Sequence, residues 1–461
     1  MKMRAKSCVV LALLAGCPDR TVSEVLPEQG KVEVKDIPAV PRRDVDILFL
    51  IDDSLSMKEE QDSLRANFSR FIGVLESLDG GLPNVQIGVI TPNLGTSALD
   101  GTTATPIGGC SGQGEGGTLR PLGAGGPRFL RNIADGSGGR QTNYGTRTLT
   151  DAFAQLATVG TAGCGIEQHL EAVKRALDGT NPLNAGFVRE SAYLAVIVIA
   201  DEDDCSLAKS TLFAGPQDAT YSDVVNFRCT AQGVACDTPA TAFEDATGRR
   251  EDCHAREDSE MLASVDRYVE FLAGKKRDPR DVIVAGILGD PTPFEITKKG
   301  AITVLKQSCP ENAAGAVAFP AVRTAQVIAQ FEHSIRTTIC DEDLSEGLTA
   351  IGAALKDTFG DPCFDNTLAD VDPATPGGQY DCSVTEVRRH VVAPDEELRV
   401  LPACDRGAAP CWRIVEDAVQ CSYTKTDPHL KLVIDRGGAT PEPDIHVKAS
   451  CVTATPTPPP T

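Results

Sequence analysis

The chain has 461 residues, of which 41% are hydrophobic and 24% are charged, and its formal net charge at pH 7 is −21. A chain of this length can form two domains, each with a hydrophobic core. The excess of acidic residues argues against nucleic acid and anionic lipid surfaces as partners, and after the amino terminus no run of about 18 apolar residues provides a membrane-spanning helix.

The amino terminus is typical of a bacterial export signal. Three basic residues within the first six positions precede a short apolar run over residues 9–14, and small residues follow it. Residues 1–16 are therefore predicted to be a signal peptide. The run Leu14-Ala15-Gly16-Cys17 resembles the lipobox of bacterial lipoproteins, which implies cleavage before Cys17 and acylation of its thiol. The alternative is an ordinary export signal in which this cysteine is incidental.

A lipid on Cys17 would be the only membrane attachment of the protein. We expect the protein in the bacterial cell envelope, at the outer membrane or the cell surface, with the periplasmic face as a further option. Residues 17–43 carry four prolines among mixed charges and are predicted to form an extended tether.

The pattern from residue 44 to residue 360 alternates between strands and helices. Residues 47–51 are continuously apolar, which is typical of a central strand covered on both faces, and they run directly into an acid and two hydroxyl residues. Similar apolar strands are predicted over 85–90, 193–200 and 282–288. Amphipathic helices are predicted over 64–78, 149–156, 166–177, 261–272 and 344–359.

This alternation predicts an α/β fold with a doubly wound, mostly parallel sheet of the Rossmann type. Two long insertions interrupt it, near residues 95–146 and 205–258. The first is rich in glycine and contains Gly112-x-Gly114-x-x-Gly117. We discount this match to a dinucleotide fingerprint, because no predicted strand precedes it and no predicted helix follows it.

The composition changes after residue 360. Proline, glycine and six cysteines separate short β-type runs over 398–401, 411–415 and 430–434, which predicts a smaller disulfide-rich β domain over 361–452. Trp412 is expected in its core, with a contact surface as the alternative. Residues 453–461 are a Pro/Thr tail with the composition of a disordered segment.

The cysteines also indicate export. Without Cys8 and Cys17, eight cysteines lie between Cys110 and Cys340 and six between Cys363 and Cys451. Both numbers are even, so each proposed domain can pair its own thiols in an oxidising compartment. A structural zinc site is a weaker reading, because the chain has no Cys-x-x-Cys and its six histidines are scattered.

Four residues with oxygen donors follow two of the apolar strands. Asp52, Ser54 and Ser56 come after the first strand, and Asp201 comes directly after the strand over 193–200. Ligands of open α/β sheets bind at the carboxyl ends of the strands. Hard oxygen donors suit Mg²⁺, with Mn²⁺ or Ca²⁺ as alternatives. Taken singly, each of these residues could instead cap a helix or lie in its first turn.

The pattern Asp52-x-Ser54-x-Ser56, with Asp201 after a later hydrophobic strand, resembles the von Willebrand factor type A domain, the family that includes the inserted domain of integrins. The resemblance implies a metal-ion-dependent adhesion site in which the two hydroxyls bind the cation directly and the aspartates act through water. A carboxylate of a protein partner would then complete the coordination of the metal.

The third element of that family's site, a threonine, is not matched. Aligning the helix that is predicted to begin at residue 166 puts Cys164 or Gly165 at that position, while Thr161 is near enough to substitute. A disulfide at Cys164 would freeze this loop. Asp203 and Asp204 are weaker candidates for a secondary Ca²⁺ contact.

The expected function is therefore metal-dependent binding of a protein that presents an Asp or Glu, in adhesion or envelope interaction, by a monomer that is not an enzyme. One alternative is a structural envelope lipoprotein whose metal site has degenerated. A Mg²⁺-dependent phosphotransferase is a further alternative, but such an enzyme needs a second acid where Ser54 stands. The chain also has no Gly-x-Ser-x-Gly and no His-Glu-x-x-His.

Overall fold

A seven-stranded sheet with helices on both faces forms the larger part of the protein. The computed structural model describes residues 31–40, 42–78, 81–107, 109–213, 225–243, 246–309, 317–341, 343–375, 377–421, 424 and 426–454. The predicted signal peptide, Cys17, the first half of the predicted tether and most of the Pro/Thr tail lie outside these residues. Among the residues that the structure describes, no helix combines the length and the apolar character needed to cross a bilayer.

The described elements follow in chain order. The strands are β1 (Val32–Pro38), β2 (Asp44–Ile51), β3 (Asn84–Ile90), β4 (Phe129–Ala134), β5 (Arg140–Thr142), β6 (Tyr193–Ala200), β7 (Val234–Thr238), β8 (Gly248–Ala255), β9 (Val282–Leu288), β10 (Phe294–Lys299), β11 (Ile302–Leu305), β12 (His333–Thr338), β13 (Cys382–Arg388), β14 (Glu396–Val400), β15 (Cys411–Glu416), β16 (Leu430–Asp435) and β17 (Ile445–Val452). The helices are α1 (Lys58–Glu76), α2 (Leu149–Ala157), α3 (His169–Leu177), α4 (Val225–Gly233), α5 (Asp266–Ala273), α6 (Val322–Ile328) and α7 (Ser345–Thr358).

The large sheet has the strand order β12-β9-β6-β2-β3-β4-β5. The five strands from β12 to β3 are mutually parallel, so the predicted mostly parallel α/β sheet is confirmed. Strands β4 and β5 add an antiparallel edge. They lie inside the segment 95–146 that was predicted to be an insertion, so the second half of this segment is part of the sheet.

The two faces of the sheet bury separate hydrophobic cores. Side chains of β2 alternate between them: Phe49 contacts the rings of Phe68, Phe71 and Phe153 on the face that is covered by α1, α2 and α7. Leu48 packs on the opposite face, with α3, α5 and α6. Burial of both faces explains why the central strands are apolar at every position.

A second, four-stranded sheet comes from the segments between β6 and β12. Its order is β11-β10-β8-β7, and every described pairing in it is antiparallel. It packs on α4 and α6 through a small core that includes Phe227, Phe243 and Phe294. The predicted insertion 205–258 therefore folds together with the later hairpin β10–β11.

The carboxyl-terminal sheet contains a strand from the predicted tether. Strand β1 pairs antiparallel with β17 along its whole length, in a sheet of order β1-β17-β13-β14, and β15 and β16 form a separate hairpin. The prediction of a tether is therefore wrong for residues 32–38. The cause is long-range pairing: β17 supplies backbone partners that local composition cannot reveal. Trp412 is partly buried against this core and donates from Nε1 to the carbonyl oxygen of Leu401.

Charged side chains hold β1 in place. Asp36 accepts hydrogen bonds from His446 on β17 at 2.7 Å and from Arg389 at 2.8 Å. Burial by itself would raise the pKa of Asp36, but these two partners lower it to about 2. The charged form of Asp36 therefore stabilises the attachment of β1.

Seven disulfides connect the fourteen cysteines from Cys110 onward. Four lie in the larger part and three in the carboxyl-terminal part, as Cys110–Cys164, Cys205–Cys229, Cys236–Cys253, Cys309–Cys340, Cys363–Cys421, Cys382–Cys451 and Cys404–Cys411. No pair crosses between the two groups, so the predicted pairing within each group is confirmed. Such a set of disulfides fits an extracytoplasmic protein.

Candidate metal centre

The candidate site lies where the order of the large sheet reverses. From β2 the chain continues to β3 on one side and later returns to β6 on the other side. Crossover helices leave opposite faces at such a point, which opens a crevice at the carboxyl ends of the two strands. Asp52 directly follows β2, and Asp201 directly follows β6. The Asp52 N–H donates to the carbonyl oxygen of Ile199 at 3.0 Å, which holds the two strand ends together.

The four residues that the sequence singled out converge in this crevice. The Ser54 N–H donates to Asp52 Oδ1 at 2.7 Å, and the hydroxyl oxygens of Ser54 and Ser56 are 3.1 Å apart. The Ser56 hydroxyl and the Asp52 carboxyl both lie close enough to the Asp201 carboxyl to shift its pKa. The tight turn after β2 thus directs three oxygen-bearing side chains toward the end of β6.

Two further residues, Glu167 and His169, lie in the same group. One ligand atom each of Asp52, Glu167 and His169 can be chosen so that the three atoms are within 4.8 Å of one another. His169 Nε2 is 3.4 Å from Glu167 Oε2. The backbone of Glu167 is anchored because its carbonyl oxygen accepts from the Cys205 N–H at 2.7 Å. The described site is therefore richer in charge than the predicted one.

Burial and mutual repulsion raise the pKa of each of the three carboxyls well above its ordinary value. For Asp52 the cause is burial, followed by the charge of Glu167. For Glu167 it is burial and then the charge of Glu202, and for Asp201 burial and then the charge of Asp52. Without a counter-cation, these groups hold protons at a pH where exposed carboxyls are ionised.

Several polar atoms of this group have no hydrogen-bond partner within the described residues. They are Asp52 Oδ2, Asp201 Oδ1, both carboxylate oxygens of Glu167 and both ring nitrogens of His169. Each of these side chains is at most 2% exposed. A buried polar atom without a partner costs about 1–3 kcal/mol, and more when it is charged. A bound divalent cation would give these atoms a partner, so Asp52, Glu167, Asp201 and His169 fit a metal together with the two serines.

Asp203 and Asp204, the weaker candidates, have other roles. Asp203 accepts hydrogen bonds from the N–H groups of Arg323 and Thr324, at the beginning of α6. Asp204 accepts from the Leu170 N–H near the beginning of α3 and forms a buried ion pair with Arg323 at 3.1 Å. Because their oxygens are already used to cap two helices, the structure contradicts the assignment of these two residues as metal contacts.

The loop before α3 is pinned, as the sequence suggested. Cys164 is bonded to Cys110. The Gly163 N–H donates to the carbonyl oxygen of Asp53 at 2.8 Å, and a Cβ at Gly163 would lie only 2.2 Å from the Asp53 side chain. Thr161 is half-buried on this loop, and within the described residues no hydrogen bond connects its hydroxyl to the candidate site. Glu167, not Thr161, reaches the acids.

The error about Glu167 has a simple source. Ile166 and Leu170 have helical spacing, so the periodicity placed the start of the helix at Ile166, whereas α3 begins at His169. The search for a third ligand was therefore displaced toward Cys164 and Gly165. The signal that could have identified the site is the pair Glu167-x-His169, an acid and an imidazole that precede and begin a helix.

A cleft of about 460 Å³ adjoins the candidate site. Glu167 and Glu202 line one part of it, and Lys298 and Lys299 from the hairpin β10–β11 line another. Apolar side chains such as Phe227 and Phe319 also border it. The cleft thus lies between the carboxyl edge of the large sheet and the second sheet.

Comparison with known proteins gives few relatives. No family model matches the chain, and no curated protein matches it. Solved structures that match include the proximal thread matrix protein 1 of the mussel byssus, with 11% identity and a TM-score of 0.29 over 71% of this chain and 50% of that one. Others are the human COPII-coat protein Sec24c, with 8% identity and a TM-score of 0.32 over 90% and 44%, and the pilus adhesin RrgA of Streptococcus pneumoniae, with 10% identity and a TM-score of 0.28 over 92% and 57%. The chain spans about half the length of these three proteins.

Proposed function

We propose that the protein is an extracytoplasmic binding protein that holds a divalent cation at Asp52, Ser54, Ser56, Asp201 and Glu167 and uses it to engage a carboxylate of a protein partner. In this proposal residues 44–360 form a von Willebrand A-like domain, and a lipid on Cys17 anchors the chain to the bacterial envelope. The protein acts in adhesion or envelope interaction and catalyses no reaction.

One observation carries the proposal, namely the set of buried and unpartnered ligand atoms at the switch point of the sheet. Asp52, Glu167 and Asp201 each carry at least one carboxylate oxygen without a hydrogen-bond partner in the described part of the chain. Folding that removes three carboxyls from water, next to one another, is unfavourable unless a positive charge compensates. A divalent cation would supply that charge, and the two hydroxyls would add neutral ligands.

The donor set bears on the choice of metal. Mg²⁺ and Ca²⁺ take oxygen ligands, whereas an imidazole suits transition metals. His169 is buried beside Glu167, and neither of its ring nitrogens has a hydrogen-bond partner within the described residues. We therefore rank Mn²⁺, which accepts both oxygen and imidazole ligands, above the Mg²⁺ that the serines and aspartates alone favour.

Calorimetric titration of metal into the EDTA-treated protein tests the proposal. We expect saturable binding of one equivalent of Mn²⁺, weaker binding of Mg²⁺ and Ca²⁺, and loss of binding in Asp52→Ala. Ser54→Ala removes one neutral ligand and should weaken binding without abolishing it. Absence of Mn²⁺ binding to the folded wild-type protein would refute a metal centre.

Glu167 itself supports a second candidate. A third carboxylate around a dication cancels the positive charge that would attract a partner's carboxylate. The metal would then be structural, and the protein would be an envelope lipoprotein without metal-dependent binding. Capture of partner proteins with and without EDTA separates the two: a partner that EDTA releases supports the first candidate, and a partner that EDTA does not affect supports the second.

A further inference from the structure

The cleft beside the candidate metal centre has walls of opposite charge. Glu167 belongs both to the metal centre and to the lining of the cleft, so the two are continuous. Glu202 lies beside it. Lys298 and Lys299, at the end of β10, border the same cavity and are exposed. Within the described residues neither lysine has an ion-pair partner.

These unpaired lysines are unusual in their surroundings. The chain carries 65 acidic residues against 44 basic ones, yet the hairpin directs basic side chains at a cavity with acidic residues on its other side. Lys306, a third lysine at the cleft, is already paired with Glu295 at 2.8 Å. Lys298 and Lys299 are therefore available to an anionic ligand at little cost, because they have no partner to leave.

We propose that the cleft binds an acidic peptide segment of the partner, with one carboxylate on the metal at Glu167 and a second on Lys298 and Lys299. This inference rests on the proposed metal centre and specifies its ligand. Three carboxylates around a dication leave no net positive charge, so a single partner carboxylate gains little there. The two lysines restore the attraction and favour a ligand with two acids over a ligand with one.

The size and lining of the cleft suit a short segment of chain. A volume of about 460 Å³ lies within the usual range of ligand sites, roughly 300–1,000 Å³. Phe227, Val304 and Phe319 supply apolar surface between the charged groups. A peptide with an apolar residue between two acids can use this surface, whereas a small dicarboxylate has only its two charges.

Peptide-display selection on the full-length protein in Mn²⁺ tests the inference. We expect enrichment of peptides with two acids near an apolar residue. Fluorescein-labelled copies of the enriched peptides should bind at least tenfold more weakly to the double variant Lys298→Ala/Lys299→Ala, and tenfold more weakly to the wild type in EDTA. Lys209→Ala, in which an exposed lysine outside the cleft is lost, should bind within twofold of the wild type.

Several results would overturn the inference. These are a selection that enriches no peptide or peptides without paired acids, equal binding by the double lysine variant, and binding of free succinate as tight as that of the peptides. Calorimetry with Mn²⁺ on the same variants separates the two proposals. If the wild type binds Mn²⁺ but its peptides ignore the lysines, only this inference fails; if it does not bind Mn²⁺, the metal centre fails.

Discussion

Replacement of Glu167 by glutamine should have opposite effects on the metal-free and the metal-bound protein. The carboxylate of Glu167 lies within 4.8 Å of a carboxylate oxygen of Asp52, and both side chains are buried. At this distance two unit charges repel by about 3.5 kcal/mol for an effective dielectric constant of about 20. Protonation relieves part of this repulsion in the wild type, so the figure is an upper bound on the gain.

The Glu167→Gln variant should therefore be more stable than the wild type in EDTA. A gain of about 2–3 kcal/mol in the free energy of unfolding corresponds to a rise in Tm of roughly 5 °C for a domain of this size. Mn²⁺ at 100 times its Kd should stabilise the wild type by about 2.7 kcal/mol. The variant has lost a charged ligand and should show a much smaller rise.

Differential scanning calorimetry in EDTA and in Mn²⁺ measures both effects. Glu59→Gln is the matched control, because Glu59 is an exposed acid in the first turn of α1, close in sequence to the site. It should change the stability by less than about 1 kcal/mol in either condition. A lower Tm of Glu167→Gln than of the wild type in EDTA, or a full Mn²⁺ response of this variant, would refute the electrostatic reasoning.

Three further predictions concern other parts of the molecule. Asp204→Ala leaves the buried guanidinium of Arg323 without its partner and should cost about 3–5 kcal/mol in urea unfolding, while Mn²⁺ titration of the folded variant stays normal; loss of metal binding would reinstate Asp204 as a ligand. Asp36→Asn should cost about 2 kcal/mol at pH 7, because the folded pKa of about 2 is below the unfolded value of about 4. That contribution disappears as the pH falls from 4 to 2, so a difference from the wild type that is equal at pH 7 and pH 2 would contradict it. The double variant Cys110→Ser/Cys164→Ser opens a loop with a sequence separation of 54. It should lose about 4 kcal/mol of stability and bind Mn²⁺ more weakly in calorimetry, whereas unchanged affinity would show that the pinned loop does not position Glu167.

Local patterns in the sequence were sufficient for the framework of the large sheet. The continuous apolar runs of β2, β6 and β9 reflect burial on both faces, which any strand in such a position requires. Asp52 and Asp201 follow these runs directly, so their position at the carboxyl edge followed from the strand assignment alone. The even division of the cysteines likewise anticipated pairing within each group.

Only the tertiary structure decided the remaining features, because each depends on contacts between distant segments. Strand β1 joins the carboxyl-terminal sheet through β17, more than 400 residues later in the chain. Asp203 and Asp204 look like exposed loop acids until α3 and α6 bring their N–H groups to them. Glu167 and His169 enter the candidate site because the disulfide-pinned loop delays the start of α3. Sequence periodicity reports which face of a segment is buried, but the partner of each buried group is determined by the packing of the whole chain.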